Sequence, residues 1–274
     1  MSTDPNAQRG DTTLRNISDY FDGCSDPWRT PYVAQSEAWH EYLPIKLRES
    51  YALEFITDEP KGTAIDLGCG IGHALIQMKQ AGFDRVIGVD ISPNMLADAG
   101  KLLEAANMAG SIELYRCDVR DLKMIESGSV DACMALGVIE YHPEDAPLLT
   151  EVNRILKPNG AAVIQTRNFW CLNSRTWGLV QRLVPRYRRR IFYREHRPPA
   201  FRSSVAQFGF RVEKQCFSHF YAMYPFTAVP VVQTLIKPIN NFFSKPCEGL
   251  RSRGFSMFLA ATYMAKLRKI SELS

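Results

Sequence analysis

The chain has 274 residues, of which 46% are hydrophobic and 23% charged, and it carries a net charge of +4 at neutral pH. That is an ordinary globular composition, long enough for one large α/β domain and too short to require two independent cores. No run of 18 apolar residues occurs, so no membrane-spanning helix is expected, and the polar stretch Met1 to Thr13 lacks the apolar centre of a signal peptide.

Residues 1–14 are rich in Asp, Thr, Asn and Gln and read as disordered. Tyr20 to Phe55 is dense in aromatics, and Ala38, Tyr42, Ile45, Tyr51 and Phe55 fall at helical spacing, broken at Pro44. This segment (15–60) reads as a helical lid ahead of a sheet or as an aromatic core helix, and the two readings are balanced. An apolar strand, Thr63 to Leu67, then runs into Gly68-Cys69-Gly70-Ile71-Gly72, and a helix from about Ile71 ends at Gly82. The second strand, Arg85 to Val89, ends on Asp90. Ser92-Pro93 opens a helix, with Ser as N-cap and Pro in the first position. A third strand begins at Ile112 and ends on Asp118, and a fourth spans Val130 to Leu136. Leu148, Leu149, Val152, Ile155 and Leu156 make the apolar face of a helix, and Lys157-Pro158-Asn159-Gly160 is expected as a turn into a fifth strand, Ala161 to Thr166. A helix over Pro199 to Phe208, a sixth strand over Phe210 to Phe217, an aromatic excursion over Phe220 to Phe243 and a last strand over 255–265 complete the pattern. Alternating strands and helices imply a doubly wound sheet.

Three successive strands each deliver a glycine turn or an acid at their carboxyl ends, which describes a nucleoside site at a sheet edge. Glycines let the chain turn sharply and bring backbone N–H groups close to a ligand that a Cβ would exclude. A dinucleotide fingerprint, counted from Gly68, would place a small residue where this chain has His73. The sequence reads instead D-x-G-x-G-x-G from Asp66. It resembles motif I of the class I S-adenosylmethionine-dependent methyltransferases, of the small-molecule, ubiquinone- and polyprenyl-methyltransferase-like type. The likeness runs from about Tyr20 to Phe217 and includes the K-P-x-G turn, with Asn159 in the place usually held by glycine, a mild change because Asn tolerates a left-handed backbone.

The resemblance implies a Rossmann-like sheet of seven strands with the last antiparallel, and a lid closing over the cofactor. It divides residues 15–274 into the lid, a cofactor-binding core (61–166), acceptor-side insertions (167–254) and the final strand. It implies S-adenosyl-L-methionine as cofactor, with Asp90 on the ribose hydroxyls and Asp118 facing the adenine amino group. Asp66, Gly68, Cys69, Gly70, Gly72, Ile91, Met95, Val119 and Leu136 complete the expected cofactor site. Glu140, Tyr141 and His142 follow the fourth strand and are expected to border the reacting centre as its catalytic candidates. Many relatives hold a histidine where this chain has Tyr141, so His142, one residue along, is weighed as a base against a loop-surface histidine. His219 is read as a pocket histidine and His196 as solvated or anion-binding.

Seven cysteines are scattered without C-x-x-C pairs and are expected as reduced core residues, which fits a cytoplasmic location. No paired Cys/His spacing, HEXXH or EF-hand loop is present, and no metal is expected. Between Arg167 and Arg202 stand ten arginines, no lysine and one acid, Glu195, a local balance of +9 that leaves −5 for the remainder. Guanidinium groups suit a carboxylate or phosphate acceptor, an anionic membrane surface or a nucleic-acid backbone, and a solvated basic face competes with all three. A D/N-P-P-Y/F signature after the fourth strand, usual in nucleic-acid methyltransferases, is absent, so nucleic acid is the weakest partner. The expected function is methylation, preferably on oxygen, of a small lipophilic or acidic acceptor, with peripheral membrane contact as an accompanying option. Methylation of protein or RNA through the basic segment, or a non-catalytic cofactor-binding partner subunit, are the alternatives. Oligomeric state is not legible.

Overall fold

The computed structural model describes residues 17–22, 43–172, 174–175, 183, 192–220, 251–252 and 254–270. Expectations for residues 1–14, for Ala38 and Tyr42 of the lid, for the arginines at 182, 186 and 188–190 and for the excursion beyond Phe220 lie outside those residues, as does the side chain of His219.

A short helix over residues 17–22 (α1) is followed by α2 (Leu43–Ile56), then β1 (Thr63–Leu67), α3 (His73–Gln80), β2 (Arg85–Asp90), α4 (Pro93–Ala105), β3 (Ile112–Arg116) and β4 (Val130–Leu136). A single 3₁₀ turn at Ile139–Tyr141 leads to α5 (Ala146–Ile155), β5 (Leu156–Arg167), α6 (Pro198–Ser204), β6 (Phe210–Phe220) and β7 (Ala260–Lys269). The seven strands lie in the order β3-β2-β1-β4-β5-β7-β6, parallel from β3 to β5, with β7 antiparallel to both neighbours. This is the expected doubly wound sheet with its last strand reversed. The order changes direction between β1 and β4, which opens a crevice at the carboxyl edge.

The central strands are apolar on both faces because both are covered. One face packs Ile65, Ile87, Leu148, Val152, Phe201 and Tyr263 into a continuous cluster. On the other, α2 and α3 lay Tyr51, Phe55, Ile56, Leu75 and Met78 over Ala64, Val86, Val163 and Met264. Each large apolar side chain buried this way contributes about 1.5–3 kcal/mol. No helix among the described residues is long and apolar enough to cross a membrane.

Local chemistry explains the boundaries. Ser92 accepts from the Met95 N–H at 3.1 Å, and Pro93 follows, so α4 starts where the cap dictates. Asn159 adopts φ +61°, the left-handed conformation expected of it. It does not end a turn outside the sheet, however. β5 already begins at Leu156, and a register shift between Val130 and Ala132 absorbs residues 157–160 as an irregularity within the β4–β5 ladder. β7 runs over 260–269, not 255–265, with a 3₁₀ stretch Gly254–Phe258 before it. The expected helix over Pro199 to Phe208 divides into α6 and a 3₁₀ turn, Val205–Phe208.

Candidate active site

The glycine loop is built by its backbone. Gly68 and Cys69 N–H both donate to the Val89 carbonyl, at 2.7 and 2.9 Å, so the loop folds over the end of β2. Gly68, Gly70 and Gly72 all have positive φ (73°, 53° and 85°), a region costly for residues with a Cβ. Gly72 caps α3, and an added Cβ there would stand 3.1 Å from the Ala99 Cβ. Close packing of α3 on α4 therefore rests on Gly72, while His73 faces α2 and pairs with the buried Glu49 at 2.7 Å.

Asp90 braces this loop. Its Oδ2 accepts from the Gly70 N–H at 2.8 Å and its Oδ1 from the Ser92 N–H at 2.9 Å. Burial raises its pKa, and these backbone bonds work against that rise. Asp66, the last residue but one of β1, is 3% exposed, and its Oδ1 has no hydrogen-bond partner. Burial, together with Glu49 and Asp90 and opposed by Arg48, pushes its pKa up to about 8. A cation placed beside Asp66 would restore its charge.

A cavity of about 460 Å³ opens along the carboxyl edge. It is lined by Asp66, Gly68, Cys69, Gly70, Asp90, Ile91, Met95, Asp118, Val119, Leu136, Glu140, Tyr141 and His142, so every expected site residue except Gly72 borders one space. Ile17, Tyr20 and Phe21 of α1 line it too, and Phe21 meets the Tyr141 ring edge-on at 5.2 Å. α1 is fastened where Ser92 Oγ–H and Asn94 N–H donate to Asp22.

At one end, Asp118 is gripped by Arg120: its Oδ1 accepts from Arg120 N and Nε at 2.9 and 3.1 Å, and its Oδ2 from Nε and Nη2 at 3.0 and 2.8 Å. His142 belongs to this end, since Arg120 and Asp118 are the strongest charges acting on its ring. Burial, then Arg120, push its pKa down to about 4. The other end is formed by residues that sequence reasoning missed: Arg48 of α2, Gln165 and Arg167 of β5, and Ala261 and Thr262 of β7. Glu140 sits there with its Oε1 3.4 Å from Arg167 Nε, and its Oε2 has no hydrogen-bond partner. Burial raises the Glu140 pKa against the pull of Arg167 and Arg48. Burial and Glu140 likewise raise that of Tyr141, keeping its hydroxyl protonated.

The loop after β4 is held from behind. Arg194 N–H donates to the Glu140 carbonyl and Arg194 Nε to the His142 carbonyl, each at 2.7 Å, while its Nη2 pairs with Asp145. His196 is buried, bonded to Asp145 through Nε2 at 2.9 Å and to Thr166 Oγ1 through Nδ1. Its expected solvation is thus overturned: two of the segment's arginine-flanked residues, Arg194 and His196, are struts for the site loop. Five cysteines (69, 117, 133, 171 and 216) are free thiols, and all but Cys117 are buried. Cys69 owes its raised pKa to burial and to Asp90 and Asp66, so it is not an activated nucleophile.

Residues 65–164 match the family described as "Methyltransferase domain". A ubiquinone biosynthesis O-methyltransferase of Alkalilimnicola ehrlichii is 28% identical over 162 residues, covering 58% of this chain and 63% of that protein, so less than two thirds of the relative's length is spanned. Among solved structures, magnesium protoporphyrin IX methyltransferase from Synechocystis, with bound S-adenosylhomocysteine, superposes with a TM-score of 0.61 at 14% identity, covering 94% and 99% of the two chains. Geranyl diphosphate C-methyltransferase from Streptomyces coelicolor superposes with a TM-score of 0.57 at 15% identity, covering 82% and 79%. At such identities the structural likeness speaks for the fold. Motif, sheet order and matched segment converge: the chain contains a methyltransferase domain of the class I, S-adenosylmethionine-dependent kind.

Proposed function

We propose that this protein transfers a methyl group from S-adenosylmethionine to a hydroxyl of a small, lipophilic or acidic acceptor. The observation that carries the reading is the single cavity whose lining joins the glycine loop, Asp66 and Asp90 to Glu140, Tyr141 and Arg167. The residues fit the cofactor: the unpartnered Asp66 Oδ1 suits its ammonium group, Arg48 beside it suits its carboxylate, and Asp90 suits the ribose hydroxyls. When bound, the cofactor supplies a methyl group already activated on a sulfonium, which departs as a neutral thioether.

The chain's own work is then positioning and exclusion of water. Holding the acceptor in line contributes on the order of 7–11 kcal/mol, more than proton transfer does. α1 covers the cavity with Ile17, Tyr20 and Phe21. Glu140, its buried Oε2 without a hydrogen-bond partner and its pKa raised by burial, takes the hydroxyl proton, and Arg167 holds the resulting oxyanion as Glu140 becomes neutral. Kinship with an O-methyltransferase of ubiquinone biosynthesis supports oxygen as the accepting atom, while the C-methyltransferase neighbour shows that the fold also serves carbon.

A membrane-borne acceptor is supported by the surface next to β7. Leu172, Phe255, Phe258 and Leu259 are exposed, Trp170 stacks on Phe258, and Arg175 and Arg197 both lie over the Phe169 ring. Alternating apolar and cationic groups suit an anionic lipid surface.

The test is release of S-adenosylhomocysteine over a panel of phenols, carboxylates and lipids, with methylated product identified by mass. Turnover on hydroxyl acceptors is expected. Binding of S-adenosylmethionine without turnover of any acceptor would favour the partner-subunit alternative. Co-sedimentation with anionic but not neutral vesicles, weakened by salt and by Arg175→Gln with Arg197→Gln, is expected if the acceptor is membrane-borne.

A further inference from the structure

Glu140 and Arg167 come from different stretches of chain, and one short segment is hydrogen-bonded to the main chain of both. Arg194 N–H donates to the Glu140 carbonyl at 2.7 Å, and His196 N–H, two residues on, donates to the Arg167 carbonyl at 2.8 Å. In an extended chain, N–H groups two residues apart point the same way and lie about 6.6 Å apart. Residues 193–197 thus form a strap that spaces the loop after β4 from the end of β5. A parallel bridge between Asn168 and His196 continues the contact.

Side chains fix the strap in place. His196, 8% exposed, bonds Asp145 through Nε2 at 2.9 Å and Thr166 Oγ1 through Nδ1. Gln165 and Arg167 of β5 line the cavity, and Thr166 between them meets the strap on the opposite face, as strand alternation requires. Asp145 stands at the N-cap of α5, where an Asp ordinarily accepts from the first N–H groups of the helix, yet it makes no such bond. Its carboxylate is turned to His196 and Arg194 instead. Arg194 Nε also holds the His142 carbonyl at 2.7 Å. Where the strap begins, the Tyr193 ring lies against the Arg167 guanidinium, with Cζ 4.9 Å from the ring centroid.

Resting on the methyl-transfer reading above, we propose that Tyr193 and His196 are positioning residues. The strap they anchor sets the distance and angle between the Glu140 carboxylate and the Arg167 guanidinium, so that proton acceptance and oxyanion binding fall on one acceptor oxygen. Neither residue is part of the cavity lining, so neither touches the acceptor. Their effect reaches the reaction through the pair, and a misplacement of about 1 Å can cost about a hundredfold in rate.

The experiment is steady-state kinetics with S-adenosylmethionine and the fastest phenol of the acceptor panel as probe. Titration with S-adenosylhomocysteine and a thermal melt accompany every variant. Tyr193→Leu should lower kcat about tenfold, while the phenol KM and the S-adenosylhomocysteine Kd stay within about twofold. Tyr193→Phe, which keeps the ring face, should hold kcat within about threefold of the wild type. In an Arg167→Gln background Tyr193→Leu should cost no more than about twofold, because the group it orients is gone, and His196→Gln should add as little to Glu140→Gln. Losses that multiply in these pairs would show a general structural effect and overturn the proposal, as would wild-type kcat in Tyr193→Leu. If His196→Gln does not fold, the Tyr193 cycle decides alone. Wild-type kcat in both Glu140→Gln and Arg167→Gln, or no turnover of any acceptor by the unaltered protein, would refute the methyl-transfer reading itself and remove the proposal with it.

Discussion

Two neighbouring glycines separate the ligand from the fold. At Gly70, φ is +53° and an added Cβ would meet no heavy atom within 4 Å, although the residue lines the cavity. Gly70→Ala therefore carries the left-handed backbone penalty of about 1–2 kcal/mol, offset by about 0.4–1 kcal/mol from a stiffer unfolded chain. The net loss, about 1 kcal/mol, corresponds to a fall in Tm of about 2–4 °C for a domain of this size. At Gly68, φ is +73° and a Cβ would stand 2.4 Å from Val138 Cγ2. Overpacking of that kind adds about 1–3 kcal/mol to the same backbone term. Gly68→Ala should thus destabilise clearly more than Gly70→Ala, while Gly70→Ala, whose methyl group enters open ligand space, should weaken S-adenosylmethionine binding at least tenfold, about 1.4 kcal/mol. Differential scanning calorimetry and titration calorimetry on both variants check the pair. Wild-type affinity in Gly70→Ala would refute the placement of the ligand against the loop, and equal melting losses would refute the packing argument.

Asp90→Ala should raise the cofactor dissociation constant far more than Asp118→Asn, because Asp90 both braces the Gly70 N–H and suits the ribose, and unchanged affinity by calorimetry would sink that role. With Asp66 held near a pKa of about 8, the free protein is mostly protonated there at pH 7, so binding a ligand ammonium should release about one proton, read from calorimetry in buffers of different ionisation enthalpy and absent in Asp66→Asn. Glu59 is buried against Lys266 and Arg268, at 2.5 Å each; burial opposes its ionisation, but these partners hold its pKa below the usual glutamate value. Its contribution is therefore present above about pH 4.5 and lost as pH falls through the folded value, so Glu59→Gln should cost about 3 kcal/mol in urea unfolding at pH 7 and progressively less in acid. An undiminished gap at pH 3 would show that the pair's charge is not what stabilises.

The parts of the fold that were legible are those fixed by local chemistry. Val130–Leu136, apolar but for Asp131, can only be a covered strand, Ser92-Pro93 can only begin a helix, and the left-handed Asn159 follows from its side chain. The parts that were not legible depend on partners distant in the chain. β7 was placed too early because Lys266 and Arg268 look like the end of a buried strand. They continue it, since Glu59, some 200 residues away, neutralises both, with Glu213 alongside. His196 was misread for the same reason: its arginine-rich neighbourhood is visible in sequence, whereas Asp145 and Thr166, which bury it, are not adjacent to it.

The same distinction divides the site. Its nucleoside end is made by loops that follow successive strands, so its acids fall in order along the chain and can be matched to a motif. Its acceptor end joins Arg48, Glu140, Gln165 with Arg167, and Thr262 from four separate stretches, and no spacing rule connects them. The charge arrangement there nevertheless constrains what can react. Arg167 already has Glu140 beside it at 3.4 Å, so an anionic acceptor would have to compete with a carboxylate held in place by burial and by Arg48. A neutral hydroxyl meets no such opposition, because giving its proton to Glu140 leaves one negative charge beside Arg167 before and after the transfer. Conservation of charge within a dry site favours that exchange over admitting a second anion. An acidic group on the acceptor is then better accommodated away from the reacting oxygen, where the arginines flanking Phe169 meet solvent.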